Sequence, residues 1–172
     1  MSAMPAGPPL PVIVNAAGGA AGRAGASLAH QIESAFAEAG QPIALELVDG
    51  DGLCDAFERH RQAPRIVVGG GDGTINTAAA AASEGGAELA VIPLGTLNHF
   101  AHQLEIPSEL VEAARLAASG SVRLIDIAEA GERVFINNLS AGAYVELVRR
   151  REASRWSKFL ATIPAAWRTL RK

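Results

Sequence analysis

Residues 65–83 read RIVVGGGDGTINTAAAAAS and join three kinds of sequence in one short stretch. A β-branched run at 66–68 is followed by three consecutive glycines, an aspartate, a fourth glycine and a threonine, and then by an alanine-rich segment. β-branched residues favour strands and alanine favours helices, so the stretch predicts a strand, a tight glycine-rich turn and a helix. Glycine also lets the backbone approach a ligand without an intervening Cβ.

The glycine-rich turn has the character of a phosphate-binding loop. The N–H groups at the start of the following helix, together with the helix dipole, favour an anion. Asp72 suits such a site if a divalent metal lies between it and a nucleotide, or if it holds the loop by accepting hydrogen bonds from N–H groups. The stretch matches neither GxxxxGK[ST] nor GxGxxG, since Thr74 occupies the last position of the second pattern. It therefore suggests a metal–nucleotide complex, and the alternative is a purely structural turn.

The whole chain alternates short β-branched runs with alanine-rich helical stretches, which is typical of parallel βαβ units. Beyond Gly120 the pattern changes, because two apolar runs flank a turn-like AlaGlyGlu and predict a hairpin. The predicted fold class is α/β: a parallel-sheet nucleotide-binding domain over 1–120, then the beginning of a β-rich second domain over 121–172. We expect strands at 12–15, 42–48, 65–68 and 89–93, helices at 27–39, 53–61, 75–82 and from Pro107 to Gly120, and hairpin strands at 122–128 and 133–139.

Composition limits the cellular setting. A chain of 172 residues suits one domain, and its single cysteine, Cys54, cannot form an internal disulfide. No apolar run approaches 18 residues, so we expect a cytoplasmic location. Cys54 lies in a predicted helix between Leu53 and Phe57, where we expect a small buried residue, not a nucleophile. The histidines have no metal-ligand spacing.

A second polar loop, IPLGTLNHFA at 92–101, also follows a predicted strand and combines Gly95, Thr96 and Asn98 before a helix. Loops at the carboxyl ends of neighbouring parallel strands face one crevice. We therefore expect the two glycine loops to form a single site.

GGDGT at 70–74 and PLGTLN at 93–98, in this order, resemble the diacylglycerol kinase catalytic family, which includes bacterial lipid kinases and sphingosine kinases. NAD kinases and phosphofructokinases share a version of the first loop, but PLGTLNHFA is similar to the lipid-kinase branch. The resemblance covers roughly 12–148. It implies a fold of the NAD kinase-like superfamily and a lipid kinase that transfers the γ-phosphate of Mg-ATP to a lipid hydroxyl, diacylglycerol-like or sphingoid.

The resemblance also implies a set of site residues. Asp72 would contact Mg²⁺, and Asp72 and Asp126 are the catalytic candidates. His99 occupies a position where many family members have Asp, but a histidine at a helix start is more often a capping or surface imidazole than a base. The residues that would contact ATP are Asn15, Gly70, Gly71, Asp72, Gly73, Thr74, Gly95, Thr96 and Asn98.

The C-terminal segment 149–172 is strongly basic. It holds eight Lys or Arg residues and one acid, a net charge of +7, against −10 for the rest of the chain. Trp156, Phe159 and Trp167 lie among these cations at helical spacing, so the segment could lie on an anionic membrane, or pack its apolar face on the second domain. The acidic remainder disfavours nucleic acid. The expected partners are ATP, a lipid substrate, an anionic inner-membrane surface and further copies of the chain.

The family's second domain carries an acidic stretch containing GlyGlu, to which the role of general base is assigned. The GlyGlu pair at 131–132 lies in the predicted hairpin turn, and apart from this pair no residues after Asp126 match that stretch. We therefore expect the chain to be incomplete at its C-terminus, and to bind Mg-ATP while transferring phosphate poorly. The alternatives are a non-catalytic nucleotide-binding or membrane-tethering protein and an NAD kinase-like enzyme.

Overall fold

The computed structural model describes residues 8–17, 21–130 and 133–136, which lie within one compact unit, residues 1–137. Strands and helices alternate through most of this unit, as the sequence predicts. The described elements are β1 Leu10–Asn15, α1 Ala21–Glu38, β2 Ile43–Val48, α2 Leu53–Arg59, β3 Arg65–Gly70, α3 Asp72–Gly85, β4 Glu88–Pro93, α4 His99–Gln103, α5 Leu110–Ser119, β5 Ala128–Ala130 and β6 Arg133–Phe135.

Strands β1 to β4 form a parallel sheet in the order β2-β1-β3-β4, which confirms the α/β class. Val12 of β1 pairs with Val67 of β3, and Gly69 of β3 pairs with Ile92 of β4. Because all four strands run in the same direction, their carboxyl ends meet at one edge of the sheet. The two glycine loops leave from that edge, after the adjacent strands β3 and β4.

Each face of the sheet is covered by helices and buries its own apolar cluster. Ile13 and Val68 pack on the face covered by α2, α3 and α4, whereas Val12 and Val67 pack on the face covered by α1 and α5. Successive strand residues point to opposite faces, so a continuous β-branched run is what a sheet covered on both sides requires. Within the part of the chain that the structure describes, no polar or charged side chain is fully buried.

Helix α3 begins earlier than the sequence predicts. The expected helix at 75–82 starts at Asp72 and continues to Gly85, with Gly71 as an extended N-cap. Gly86 ends the helix in the left-handed conformation, with φ 72°. The second half of the predicted turn is therefore the first helical turn, which brings Gly73 and Thr74 to the helix N-terminus.

The predicted hairpin is present but shorter. β5 and β6 pair antiparallel, with Ala128 opposite Phe135. The predicted strand at 122–128 is wrong over most of its length, because 121–127 have no regular secondary structure and their side chains are exposed, Leu124 completely. No described strand pairs with this segment. Residues 137–139 of the second predicted strand and the predicted basic helix at 149–172 lie outside the described residues.

Cys54 is exposed, which corrects the expectation of a buried residue. It lies on α2, whose buried face is occupied by Leu53, Ala56 and Phe57. Among the helices that the structure describes, none has the length and apolar character to cross a membrane.

Candidate functional site

The two glycine loops begin side by side. Gly70 is the last residue of β3 and pairs with Pro93, the last residue of β4. The N–H of Leu94 then donates to the carbonyl oxygen of Gly70 at 3.0 Å. The strand pairing therefore continues into the loops and fixes their relative position.

Beyond this pair the loops contact each other through backbone atoms. An ideal Cβ on Gly95 would lie 2.5 Å from the Cα of Gly71 and 2.6 Å from Oδ1 of Asn98. A Cβ on Gly70 would likewise lie 2.5 Å from the Cβ of Thr74. Real Cβ atoms do not approach so closely, so the contact between the two loops requires glycine at position 95, and the turn within the first loop requires it at position 70.

Asn98 shapes the second loop. Its side chain accepts a hydrogen bond from the N–H of Gly95 at 2.9 Å and donates one to the carbonyl oxygen of the same residue at 3.0 Å. The backbone of Asn98 is left-handed, with φ 49° and ψ 44°, a conformation that asparagine tolerates better than most residues. The structure thus gives Asn98 a role in forming the loop, and its contact with ATP stays a prediction.

Asp72 connects the two loops. Its Oδ1 accepts a hydrogen bond from the N–H of Phe100, in the first turn of α4, at 3.1 Å. Asp72 therefore holds a backbone N–H that follows the second loop, whereas hydrogen bonds to Asp72 from the N–H groups of its own loop stay a prediction. Within the described residues no three His, Cys, Asp or Glu side chains cluster as a metal site. Because Mg²⁺ commonly uses one or two carboxylates plus substrate phosphates, the single Asp72 fits a metal carried by a nucleotide.

The carboxyl end of β1 joins the same site. Nδ2 of Asn15 donates to Oγ1 of Thr74 at 3.0 Å, and Oδ1 of Asn15 accepts from the N–H of Ala17 at 3.0 Å. Three of the parallel strands, β1, β3 and β4, thus contribute to one connected polar site.

The N-terminus of α3 is accessible to an anion. The first intrahelical hydrogen bond runs from the N–H of Ile75 to the carbonyl oxygen of Gly71, so the N–H groups of Gly73 and Thr74 precede it. Gly73 is exposed, and an ideal Cβ there would meet nothing within 4 Å. Thr96 is exposed on the second loop. The predicted ATP-contacting residues are therefore brought together around an open helix N-terminus.

Asp126 is not connected to these loops. It is exposed in the irregular segment 121–127, and no hydrogen bond or ion pair among the described residues joins it to either glycine loop. Its catalytic role stays a prediction. His99 is the exposed first residue of α4.

Asn76, two positions after Thr74, lies outside the predicted set of ATP-contacting residues, although its short polar side chain suits the same loop. Its carboxamide makes two hydrogen bonds to the backbone around β6, at 2.9 and 3.1 Å. The available signal is an asparagine inside an alanine-rich helix, where it lowers helix propensity.

A groove of about 780 Å³ lies between α2 and α3 and is lined by residues such as Phe57, Arg61 and Ala81. None of its lining residues belongs to the two glycine loops. The candidate site is therefore defined by the loop geometry and not by this groove.

A doubly covered parallel sheet with glycine loops in contact at the carboxyl ends of adjacent strands defines an α/β domain with an exposed helix N-terminus at the edge where such sheets bind ligands. The family model described as the diacylglycerol kinase catalytic domain matches residues 9–130 of the chain. The chain belongs to the diacylglycerol kinase catalytic domain family.

Individual relatives agree with this assignment. The chain is 38% identical over 112 residues to a protein of Chromohalobacter salexigens named "probable lipid kinase YegS-like", covering 61% of this chain and 36% of the relative. A protein of Klebsiella pneumoniae with the same name is 41% identical over 81 residues, covering 46% and 27%. The chain thus spans about a third of the length of these curated relatives.

A solved structure is similar over a larger share of the chain. The crystal structure of a diacylglycerol kinase from Bacillus anthracis matches with a TM-score of 0.57 and 26% identity. The match covers 74% of this chain and 45% of that protein. The family assignment therefore rests on the family model, the sequence relatives and the fold together.

Proposed function

We propose that this chain carries the nucleotide-binding part of an ATP-dependent lipid kinase, which transfers the γ-phosphate of Mg-ATP to a lipid hydroxyl. The observation that supports this most directly is the backbone contact between Gly71 and Gly95 beside the exposed N-terminus of α3. Such a surface accepts phosphate groups because it presents N–H donors without side chains in the way. Membership of the diacylglycerol kinase catalytic family supports a lipid as the acceptor.

The chain's own residues would act by positioning and electrostatic stabilisation. The N–H groups of Gly73 and Thr74 would bind phosphate oxygens, and Asn15 would keep Thr74 in place through its hydrogen bond. Mg-ATP supplies the phosphoryl group and part of the charge neutralisation when it is bound. Fixed donors of this kind are most effective where charge develops during transfer.

Asp72 provides the sharpest test of the nucleotide proposal. Asp72→Asn keeps an oxygen that can accept from Phe100 but removes the negative charge, whereas Asp72→Ala removes both. We expect Asp72→Asn to fold like the parent and to lose at least about tenfold in Mg-ATP affinity, since a charged metal ligand is gone. Asp72→Ala should in addition lower the free energy of unfolding by about 1–2 kcal/mol, because the N–H of Phe100 loses its acceptor.

Calorimetry with and without Mg²⁺, together with urea unfolding, measures both effects. Equal Mg-ATP affinity for Asp72→Asn and the parent would remove Asp72 from the metal site and leave it a loop-connecting residue. No ATP binding by the parent would contradict the nucleotide function itself.

Phosphate transfer is tested with radiolabelled ATP and mixed-lipid vesicles containing diacylglycerol or a sphingoid base. We propose that the chain binds nucleotide but labels lipid slowly, because its catalytic candidate Asp126 is exposed and no hydrogen bond among the described residues joins it to either glycine loop. Turnover of about one per second or faster would show that a base lies within the chain. His99 and Asp126 would then be the residues to substitute. Binding without any labelled lipid would favour the non-catalytic nucleotide-binding alternative.

The same proposal includes a cytoplasmic location, peripheral contact with anionic membrane and self-association. The +7 charge of 149–172 supports the membrane contact, although this segment lies outside the described residues. The exposed apolar side chains of Val122 and Leu124 support association between copies of the chain.

A further inference from the structure

Asn76 joins helix α3 to strand β6 through both ends of its side-chain amide. Nδ2 donates to the carbonyl oxygen of Val134 at 2.9 Å, and Oδ1 accepts from the N–H of Ile136 at 3.1 Å. These two backbone groups are two residues apart, the spacing at which a neighbouring strand would pair. The carboxamide of Asn76 therefore occupies the edge of β6 as a strand residue would.

The position of Asn76 places this contact close to the phosphate loop. Asn76 follows Thr74 by two residues, and Thr74 accepts a hydrogen bond from Asn15 at 3.0 Å. Ile75 between them is buried, and Ile136 packs against the same apolar cluster. The first turns of α3 thus contact the end of β1 on one side and β6 on the other.

The identity of the residue supports a specific role. Asparagine is less favourable than alanine inside a helix, and α3 continues after Thr77 with five consecutive alanines. Alanine in place of Asn76 would favour the helix but would leave the N–H of Ile136 and the carbonyl of Val134 without these half-buried partners. The two hydrogen bonds outweigh the lost helix propensity.

We infer that Asn76 is a positioning residue that couples the β5–β6 hairpin to the phosphate loop, so that nucleotide bound at the N-terminus of α3 orders β6. The nucleotide-linked part rests on the proposed function, whereas the mechanical connection between α3 and β6 does not. By linkage, if the Asn76 hydrogen bonds favour the arrangement of the first turn that binds nucleotide, bound nucleotide stabilises these hydrogen bonds by the same factor.

Hydrogen exchange of the Ile136 amide in the full chain tests the connection directly. Without nucleotide, we expect Asn76→Ala to accelerate this exchange by at least about tenfold, because the acceptor of that N–H is removed. Asn76→Asp keeps an acceptor for Ile136 but loses the donor to Val134, so its exchange should lie between those of the parent and Asn76→Ala. Ser83→Ala, which removes an exposed side-chain hydrogen bond from the same helix, is the matched control and should exchange like the parent.

The second arm repeats the measurement with saturating Mg-ATP, after calorimetry has given the affinity of each variant. We expect nucleotide to slow the Ile136 exchange in the parent and in Ser83→Ala, and to have little effect in Asn76→Ala, a difference that loss of stability alone does not produce.

Unchanged exchange in Asn76→Ala without nucleotide would overturn the connection. Equal slowing by nucleotide in Asn76→Ala and the parent would overturn the coupling. Absence of ATP binding in the parent would contradict the proposed function and the nucleotide-linked part, while the nucleotide-free exchange would still decide the connection.

Discussion

At Gly95 the chain has no space for a side chain, because the backbone of Gly71 and the side chain of Asn98 already fill it. Glycine is therefore needed here for close approach and not for a positive φ, since the left-handed residue of this loop is Asn98. The same contact brings the second loop against the N-cap of α3. The glycine at position 95 is therefore a condition for the close contact of the two loops.

We expect Gly95→Ala to lower the free energy of unfolding by about 1–3 kcal/mol, the range for a side chain forced into a filled space. Because the added methyl group must push the loops apart, Mg-ATP affinity should fall by at least about tenfold, a change of about 1.4 kcal/mol in binding. Urea unfolding and calorimetry measure the two effects.

The matched control is Gly85→Ala, at the end of α3, where an ideal Cβ meets nothing within 4 Å. Replacing a helical glycine by alanine where space allows should leave stability equal or slightly higher. Normal nucleotide affinity in Gly95→Ala would show that the contact between the loops is not needed for binding.

Among the elements, helix α5 is held at its C-terminus by the first residue of β3. The guanidinium of Arg65 donates to the carbonyl oxygens of Ala117, Ala118 and Gly120 at 3.0, 3.1 and 3.2 Å. It also bonds Oε2 of Glu88 at 2.8 Å. The last carbonyls of a helix lack intrahelical donors and carry partial negative charge. A cation at this end therefore donates the missing hydrogen bonds and neutralises part of the charge.

Arg65→Ala should lower the free energy of unfolding by about 2–3 kcal/mol, because several charge-assisted hydrogen bonds of a side chain only 20% exposed are lost together. Arg65→Lys should retain part of the stabilisation that Arg65 provides, since a single ammonium group cannot bond all of these oxygens in the same geometry.

Urea unfolding with an unchanged m-value measures the effect of the Arg65 substitutions. Arg61→Ala removes an exposed pair with Glu58 and should leave the urea midpoint where it is. An Arg65→Ala midpoint as high as that of Arg61→Ala would show that α5 does not depend on this contact.

At the scale of the whole molecule, we expect stability to depend on pH through two carboxylates of the described residues whose pKa values are lowered on folding. The hydrogen bond from Arg59 lowers the pKa of Glu46, and the charge of Arg59 and the contact with His60 act in the same direction. The backbone N–H of Glu112 lowers the pKa of Glu109, which is the N-cap of α5. Both groups are therefore easier to protonate in the unfolded chain than in the folded one.

A carboxylate whose pKa is lower in the folded than in the unfolded chain stabilises the folded state. This stabilisation is complete when the pH is above the unfolded pKa of 4.5, and it is lost as the pH falls through the folded pKa. As far as these two groups determine it, the free energy of unfolding should be level from pH 7 to about 5.5 and should fall below pH 4.5. The double variant Glu46→Gln, Glu109→Gln should lose less stability between pH 6 and about 3.5 than the parent. Urea unfolding of the parent and the double variant over this pH range measures the difference. If the free energy of unfolding falls equally with pH in both proteins, these carboxylates are not the cause of the pH dependence.

The sequence by itself determined the layered α/β architecture and the place of the site. Uninterrupted β-branched runs such as 66–68 suit strands covered on both faces, and glycine-rich segments after them mark where the chain must turn. These are local properties, so they can be predicted from short stretches of sequence. The order of the predicted strands and loops likewise predicted that the turn after β3 and the polar loop after β4 lie at one edge of one sheet.

Only the tertiary structure decided how the polar residues are used. Asp72 bonds a residue 28 positions away, and Asn76 bonds residues 58 and 60 positions away. The irregular course of 121–127 is decided in the same way, because an alternating sequence forms a strand only where another strand pairs with it. A side chain's propensity is fixed by its own chemistry, but its partner is fixed by the packing of the whole sheet, and packing brings together residues that no local pattern connects.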